Sequence, residues 1–118
     1  MNQEEFVKLL KDSLVQKVVN NNLILFENPP GRMPDKLLIE VSTFYKSLSE
    51  TERETFRKCL IFQSRSVIFN ILTMMDGVNK FSEDLNGRFE LNVIENGIKS
   101  HLNDPNDEYL HDLFNSEQ

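Results

Sequence analysis

The chain contains no tryptophan, one cysteine and four glycines in 118 residues. A single cysteine cannot form an internal disulfide, and its apolar neighbours predict that Cys59 is a small buried residue. Four glycines leave little material for loops that cradle phosphates. The sequence contains no glycine-rich phosphate-loop motif, no nucleophile-elbow motif and no HExxH metalloprotease motif. These absences argue against the enzyme classes that such motifs define.

Long hydrophobic runs and an excess of basic residues are also missing. No stretch approaches the roughly 20 apolar residues of a membrane span, and residues 1–5 lack a signal-peptide pattern. Thirteen Lys and Arg against nineteen Asp and Glu give a net charge of −6, whereas nucleic-acid binding needs a concentrated basic stripe. We therefore expect one cytoplasmic domain, residues 1–118, without membrane or nucleic-acid partners. Its negative surface would suit a protein partner with a basic surface.

Apolar residues at spacings of three and four predict three helices in the first two thirds of the chain. The first runs from Gln3 to about Asn20, where three consecutive asparagines are predicted to end it. The second begins at Pro34-Asp35. The third begins at the capping box Ser49–Glu52 and runs towards Asp76, with Gly77 placed to end it. Because this third helix is apolar on nearly all sides, we expect it to be central.

Two segments favour extended structure. The short apolar run Leu23–Phe26 is bounded by residues that break helices and is the candidate for a third strand. Near the C-terminus the apolar period changes to two, and Asn96-Gly97 is a strong hairpin signal. This pattern predicts strands over Arg88–Glu95 and Ile98–Asn103, with Asn92 opposite His101. The predicted buried face carries five apolar residues: Phe89, Leu91, Val93, Ile98 and Leu102.

The stretch from His101 to Phe114 contains both histidines and four carboxylates. Two interpretations compete: a metal or acid–base site, and a capped helix that begins at Asp104-Pro105 and runs to about Asn115. The ligand spacings of zinc and calcium sites are absent, which favours the helix. His101 is expected on the polar face of the hairpin and His111 on an exposed helix face. We therefore predict no catalytic residue, metal or cofactor here. The fold class is α+β, mainly helical: three N-terminal helices, a C-terminal hairpin and a short terminal helix.

The functional feature that the sequence still predicts is a surface that contacts a partner. The loop Glu27–Met33, rich in proline, is either a plain connector or a rigid contact surface that exposes Arg32. The polar residues 63–66 within the third helix are either a solvent-facing stripe or part of a polar pocket. The candidate partner-binding residues are Glu90, His101, Asp107, Glu108, His111, Asp112 and Arg32.

Roughly the last forty residues carry a resemblance. The string MDGVNKF, the Asn-Gly hairpin, Asn103-Asp104-Pro105 and Leu110–Phe114 resemble small bacterial immunity proteins, which neutralise toxins. The resemblance implies a non-enzymatic binding protein that occludes a cognate toxin, and it assigns no contact residues.

Two alternatives come from other classes. One is a small enzyme or ligand-binding domain with a pocket between the central helix and the sheet, using Ser64, Arg65 and His101. A deep pocket containing two of these residues would favour that alternative. The other is a structural oligomerisation module, which the molecular mass in solution would reveal.

Overall fold

The computed structural model describes residues 1–78 and 87–116, so residues 79–86, which include the end of the MDGVNKF string, lie outside the described residues. Its elements in chain order are α1 (Gln3–Leu9), a π-helical segment (Leu10–Lys17), α2 (Val18–Glu27), α3 (Lys36–Ser47), α4 (Glu50–Met75), β1 (Asn92–Glu95), β2 (Ile98–His101) and α5 (Leu110–Ser116). The predicted class, α+β and mainly helical, is confirmed. None of the helices in the described ranges is long and apolar enough to cross a membrane.

The chain divides into two compact units. Unit 1 comprises residues 1–12 and 65–118, and unit 2 comprises residues 13–64. By sequence, unit 1 has thirteen acidic and six basic residues, a formal charge of −7, whereas unit 2 has six acidic and seven basic residues, a formal charge of +1. The negative charge of the protein therefore belongs to unit 1.

The predicted helix ends in the middle of the chain are confirmed. Asp35 Oδ1 accepts a hydrogen bond from the backbone N–H of Leu37 at the start of α3. In the capping box of α4, Ser49 Oγ accepts from the Glu52 N–H, and Glu52 Oε1 accepts from the Ser49 N–H. Gly77 follows the end of α4 with a φ of +74°, a conformation that glycine adopts without steric cost.

The predicted third strand is wrong, because residues 23–26 lie inside α2. The predicted helix end at the three asparagines is wrong too, because residues 20–22 also lie inside α2. Asparagine disfavours helix interiors only weakly, and tertiary packing overrides such preferences. The Phe26 ring lies 6.1 Å from the Tyr45 ring, and the Phe26 carbonyl accepts a hydrogen bond from the Ser42 hydroxyl. These contacts join α2 to α3. The sequence did carry a signal: Val15, Val19, Leu23 and Phe26 keep the spacing of three and four through the asparagines.

The hairpin has the predicted register, with Asn92 opposite His101 and Glu95 opposite Ile98. Asn96 and Gly97 have φ values of +52° and +78°, as a two-residue type I′ turn requires. The strands are shorter than predicted and end at His101. The predicted burial of Ile98 is wrong, since Ile98 is 70% exposed near the turn, whereas Leu102, beyond the strand, is 1% exposed.

The core of unit 1 lies where α1, the C-terminal part of α4 and α5 contribute apolar side chains. Its fully buried members include Val7, Leu102, Leu110 and Phe114. Asn103 connects three segments within this unit: its amide group donates to the carbonyls of Met75 and Phe89, and its side-chain oxygen accepts from the Leu91 N–H. A buried side chain with all these bonds made holds the hairpin in a defined position.

Helix α4 is less central than its composition predicts. Its fully buried residues are Leu72 and Thr73, whereas Phe62, Val67 and Ile71 are 72%, 49% and 44% exposed. Cys59 is exposed, so its predicted burial is also wrong. Apolar side chains are therefore uncovered along its length.

Candidate functional site

A pocket of about 310 Å³ lies in unit 1 beside the hairpin. The N-terminal segment, the end of β2 and the turn before α5 contribute its walls. The residues that line it are Met1, Asn2, Gln3, Ser100, His101, Leu102 and Asp107. Two predicted site residues, His101 and Asp107, thus line the same pocket, with five residues between them along the chain.

The local structure of the turn explains where Asp107 lies. Asp104 does not begin the terminal helix as predicted. Its side-chain oxygen accepts from the Asn106 N–H and its carbonyl accepts from the Asp107 N–H, which closes a turn. Helix α5 therefore begins five residues later than predicted, at Leu110, and Asp107 and Glu108 lie exposed before it.

Gln3 holds the N-terminal wall of the pocket against this turn. Its side-chain nitrogen donates to the carbonyls of Leu102 and Glu108, at 2.7 Å in both cases. The neighbouring Asn2 caps α1, because its side-chain oxygen accepts from the Glu5 N–H at 2.8 Å. Both side chains are held by bonds within unit 1, so this wall is preorganised.

The described pocket lining combines one carboxylate, Asp107, with one ammonium group, the Met1 amino group, which is paired with Glu95. The carboxylate of Asp107 has no hydrogen-bond partner among residues 1–78 and 87–116, and none of the described lining residues is Lys or Arg. Glu90 Oε1 lies 3.8 Å from His101 Nε2, an atom that is buried and lacks a hydrogen bond to any described residue. Nearby on the hairpin, Glu95 Oε1 accepts from the Met1 amino group at 2.6 Å, which raises the pKa of that group.

His111 lies elsewhere, and its predicted exposure is wrong, since the residue is 9% exposed. Asp76 Oδ2 accepts from the His111 N–H at 3.0 Å and lies 2.6 Å from His111 Nδ1. The imidazole ring stacks on Tyr109 at 5.3 Å and meets the edge of Phe69 at 5.7 Å. The Asp76 carboxylate, at the end of α4, therefore caps α5 although 35 positions of the sequence separate Asp76 from His111. This contact explains why His111 is buried.

The remaining predicted contact residues divide by location. Asp112 is 62% exposed at its side chain and lies 3.4 Å from His111 Nε2. Arg32 is exposed in the proline loop of unit 2, so it belongs to a different unit from the other six. His101 and Asp107 line the pocket, which we call the acidic pocket. Glu90 lies 3.8 Å from His101, and the Glu108 backbone carbonyl accepts from Gln3.

The pocket that the ligand-binding alternative requires differs from the acidic pocket. His101 lines the acidic pocket, but Ser64 and Arg65 do not. Ser64 Oγ donates to the Leu60 carbonyl, as a side chain within a helix often does, and Arg65 donates to the Phe114 carbonyl while its guanidinium covers the Phe114 ring at 4.8 Å. A second groove, of about 380 Å³, is lined by Val67, Asn70, Ile71 and Met74 of α4.

Sequence reasoning missed Asn2, Gln3 and Ser100 as pocket residues. No local pattern marks them, because residues 2 and 3 reach the hairpin only through tertiary contacts that span about a hundred positions. In the described part of the chain, no group of three or more His, Cys, Asp and Glu side chains could hold a metal ion.

Comparisons with known protein families, with curated protein sequences and with solved structures found no match for this chain.

Proposed function

We propose that this protein is a non-enzymatic binding protein of the immunity type, which occludes a basic protein partner in the cytoplasm. The observation that carries the proposal is the charge division between the units, −7 in unit 1 against +1 in unit 2. A concentrated field of one sign accelerates association with an oppositely charged partner and disfavours other partners. The acidic pocket lies within that field.

The mechanism is occlusion by surface complementarity. Glu90, Asp107, Glu108 and Asp112 present exposed carboxylates on the hairpin and around the start of α5. These residues are anchored to a packed scaffold through Gln3 and Asn103, so little conformational order has to be gained on binding. A toxin whose active face is basic would be covered by this surface without any chemical step.

The test is neutralisation of a toxin encoded next to this gene, followed by calorimetry of the purified pair at rising salt. We expect rescue of growth on co-expression and an affinity that falls as salt screens the charges. A variant with Glu90→Gln and Asp107→Asn should bind more weakly. The matched control, Glu40→Gln with Glu50→Gln in unit 2, removes the same charge and should bind like the wild type. No rescue, or equal losses in the two variants, would contradict the proposal.

The alternative function, a small enzyme or ligand-binding domain, has less support. It expects Ser64 and Arg65 to face a ligand, but both side chains have intramolecular partners. Neither Ser64 nor Arg65 is among the described residues that line the acidic pocket.

A further inference from the structure

We propose that the acidic pocket receives one lysine or arginine side chain of the partner protein. This inference rests on the proposed function, since it names the partner's chemistry at the same site. Its volume of about 310 Å³ is at the low end of the range for small-molecule sites, roughly 300–1,000 Å³. The pocket therefore has room for one long side chain and is small for a nucleotide or other large cofactor.

The free polar groups of the pocket include three side-chain acceptors, on Gln3, Ser100 and Asp107. Gln3 uses its side-chain nitrogen on two carbonyls, which can only accept, so its side-chain oxygen is the end left for a ligand. The Asp107 carboxylate and the Ser100 hydroxyl have no hydrogen bond to any residue that the structure describes. An ammonium group brings three donors and a guanidinium five, so either cation can satisfy these oxygens together.

Charge selects a cation over an anion or a neutral donor. A bond between a cation and the Asp107 carboxylate is charge-assisted and therefore stronger than a neutral one. Glu90, whose Oε1 lies 3.8 Å from Nε2 of the lining residue His101, adds a second negative charge close to the site. An anionic ligand would meet both charges and the −7 of the unit, whereas a basic side chain would reduce them.

The first experiment uses blocked amino acids as probes: the acetyl methylamides of lysine, arginine and norleucine, titrated into the full chain and followed through backbone amide signals in NMR spectra. We expect saturable shifts at Gln3, Ser100 and Asp107 with lysine and arginine, with dissociation constants on the order of millimolar. Norleucine keeps the stem without the charge and should give none. Equal binding of norleucine, or no saturation by either cation, would overturn the proposal.

Matched variants test whether the lysine probe binds in the acidic pocket. Asp107→Asn should weaken binding of the lysine probe about fivefold, while Asp112→Asn, which removes the same charge from unit 1 outside the pocket lining, should change it less than about twofold. Equal losses would mean that the general field of the unit, not the pocket, binds the probe. Tighter binding of spermidine than of a tripeptide with a central lysine would point to a free amine and overturn the assignment to a protein side chain.

The outcomes separate this inference from the function on which it rests. If the Asp107→Asn variant still neutralises the toxin and no probe binds, the proposed function stands and the pocket inference is overturned. If the cationic probes bind but the protein neutralises no toxin, the proposed function is overturned and the pocket for basic side chains stands.

Discussion

The two units of this chain differ in the size of their buried apolar core. In unit 1, Leu110 and Phe114 are fully buried, and the surface above them is acidic. In unit 2, Ile24 and Leu37 are 64% and 66% exposed, and the unit is nearly neutral. Charge and a packed core thus occur together in unit 1, which places the candidate contact residues on the better anchored part of the chain.

Unit 2 is held by a smaller set of contacts. Of its apolar residues, all of which the structure describes, Val15 and Val19 are the buried ones. Beside them, Phe26, Tyr45 and Phe56 form a ring cluster with centroid separations of 5.9 to 6.2 Å. The difference indicates that single substitutions should act more strongly in unit 1.

The largest difference should appear between two phenylalanine truncations. Phe114 is 0% exposed and Phe44 is 56% exposed. Phe114→Ala leaves a cavity and should lower the free energy of unfolding by about 4 kcal/mol. Phe44→Ala loses mainly one edge-to-face contact with Phe56, about 1 kcal/mol. Urea unfolding of both variants measures the difference, and equal losses would contradict the contrast between the units.

A second comparison uses two aspartates that cap helices. Asp76, whose side chain is 2% exposed, caps α5 across 35 residues and holds His111, whereas Asp35 caps α3 locally and is exposed. Asp76→Ala leaves buried donors without partners and should cost about 3 kcal/mol. Asp35→Ala should cost about 1 kcal/mol. Denaturant unfolding gives both values.

Hydrogen exchange of the backbone amides shows which helix the Asp76→Ala substitution destabilises. In Asp76→Ala the amides of α5 should lose protection before those of α3. If α5 keeps its protection, another contact determines where this helix begins.

The smallest effect concerns the capping box of α4. Hydrogen bonds from the backbone N–H and the hydroxyl of Ser49 lower the pKa of Glu52. A lowered pKa in the folded state stabilises the fold above the unfolded value, near 4.5, and this contribution is lost as pH falls through the folded value. The difference in urea midpoint between wild type and Glu52→Gln should therefore be present at about pH 7 and be lost as the pH falls through the folded value.

Glu50→Gln is the control for this prediction. It removes the same charge from the first turn of α4 without touching the bonds to Ser49. The same pH-dependent difference in this variant would assign the effect to the helix dipole and contradict the role of the capping box.

Part of the candidate site could be predicted from residue type. The acidity of the hairpin and of residues 104–112, and the register that places Asn92 opposite His101, are present in the sequence as pattern. The pocket could not be predicted, because Gln3 reaches it by hydrogen bonds that join residues about a hundred positions apart. His111 was misplaced for the same reason: its partner, Asp76, belongs to another helix.

By itself the sequence determined the elements whose signals are local. Asp35, Ser49 with Glu52, Gly77 and Asn96-Gly97 begin or end structure through bonds and dihedral angles within a few residues of themselves. Tertiary structure decided the late start of α5 and the burial of His111, and it decided between the helical and the extended signals that the sequence of residues 23–26 carries. In each of these cases local preferences differ by only about 1 kcal/mol or less, so a contact made by a distant residue determines the outcome.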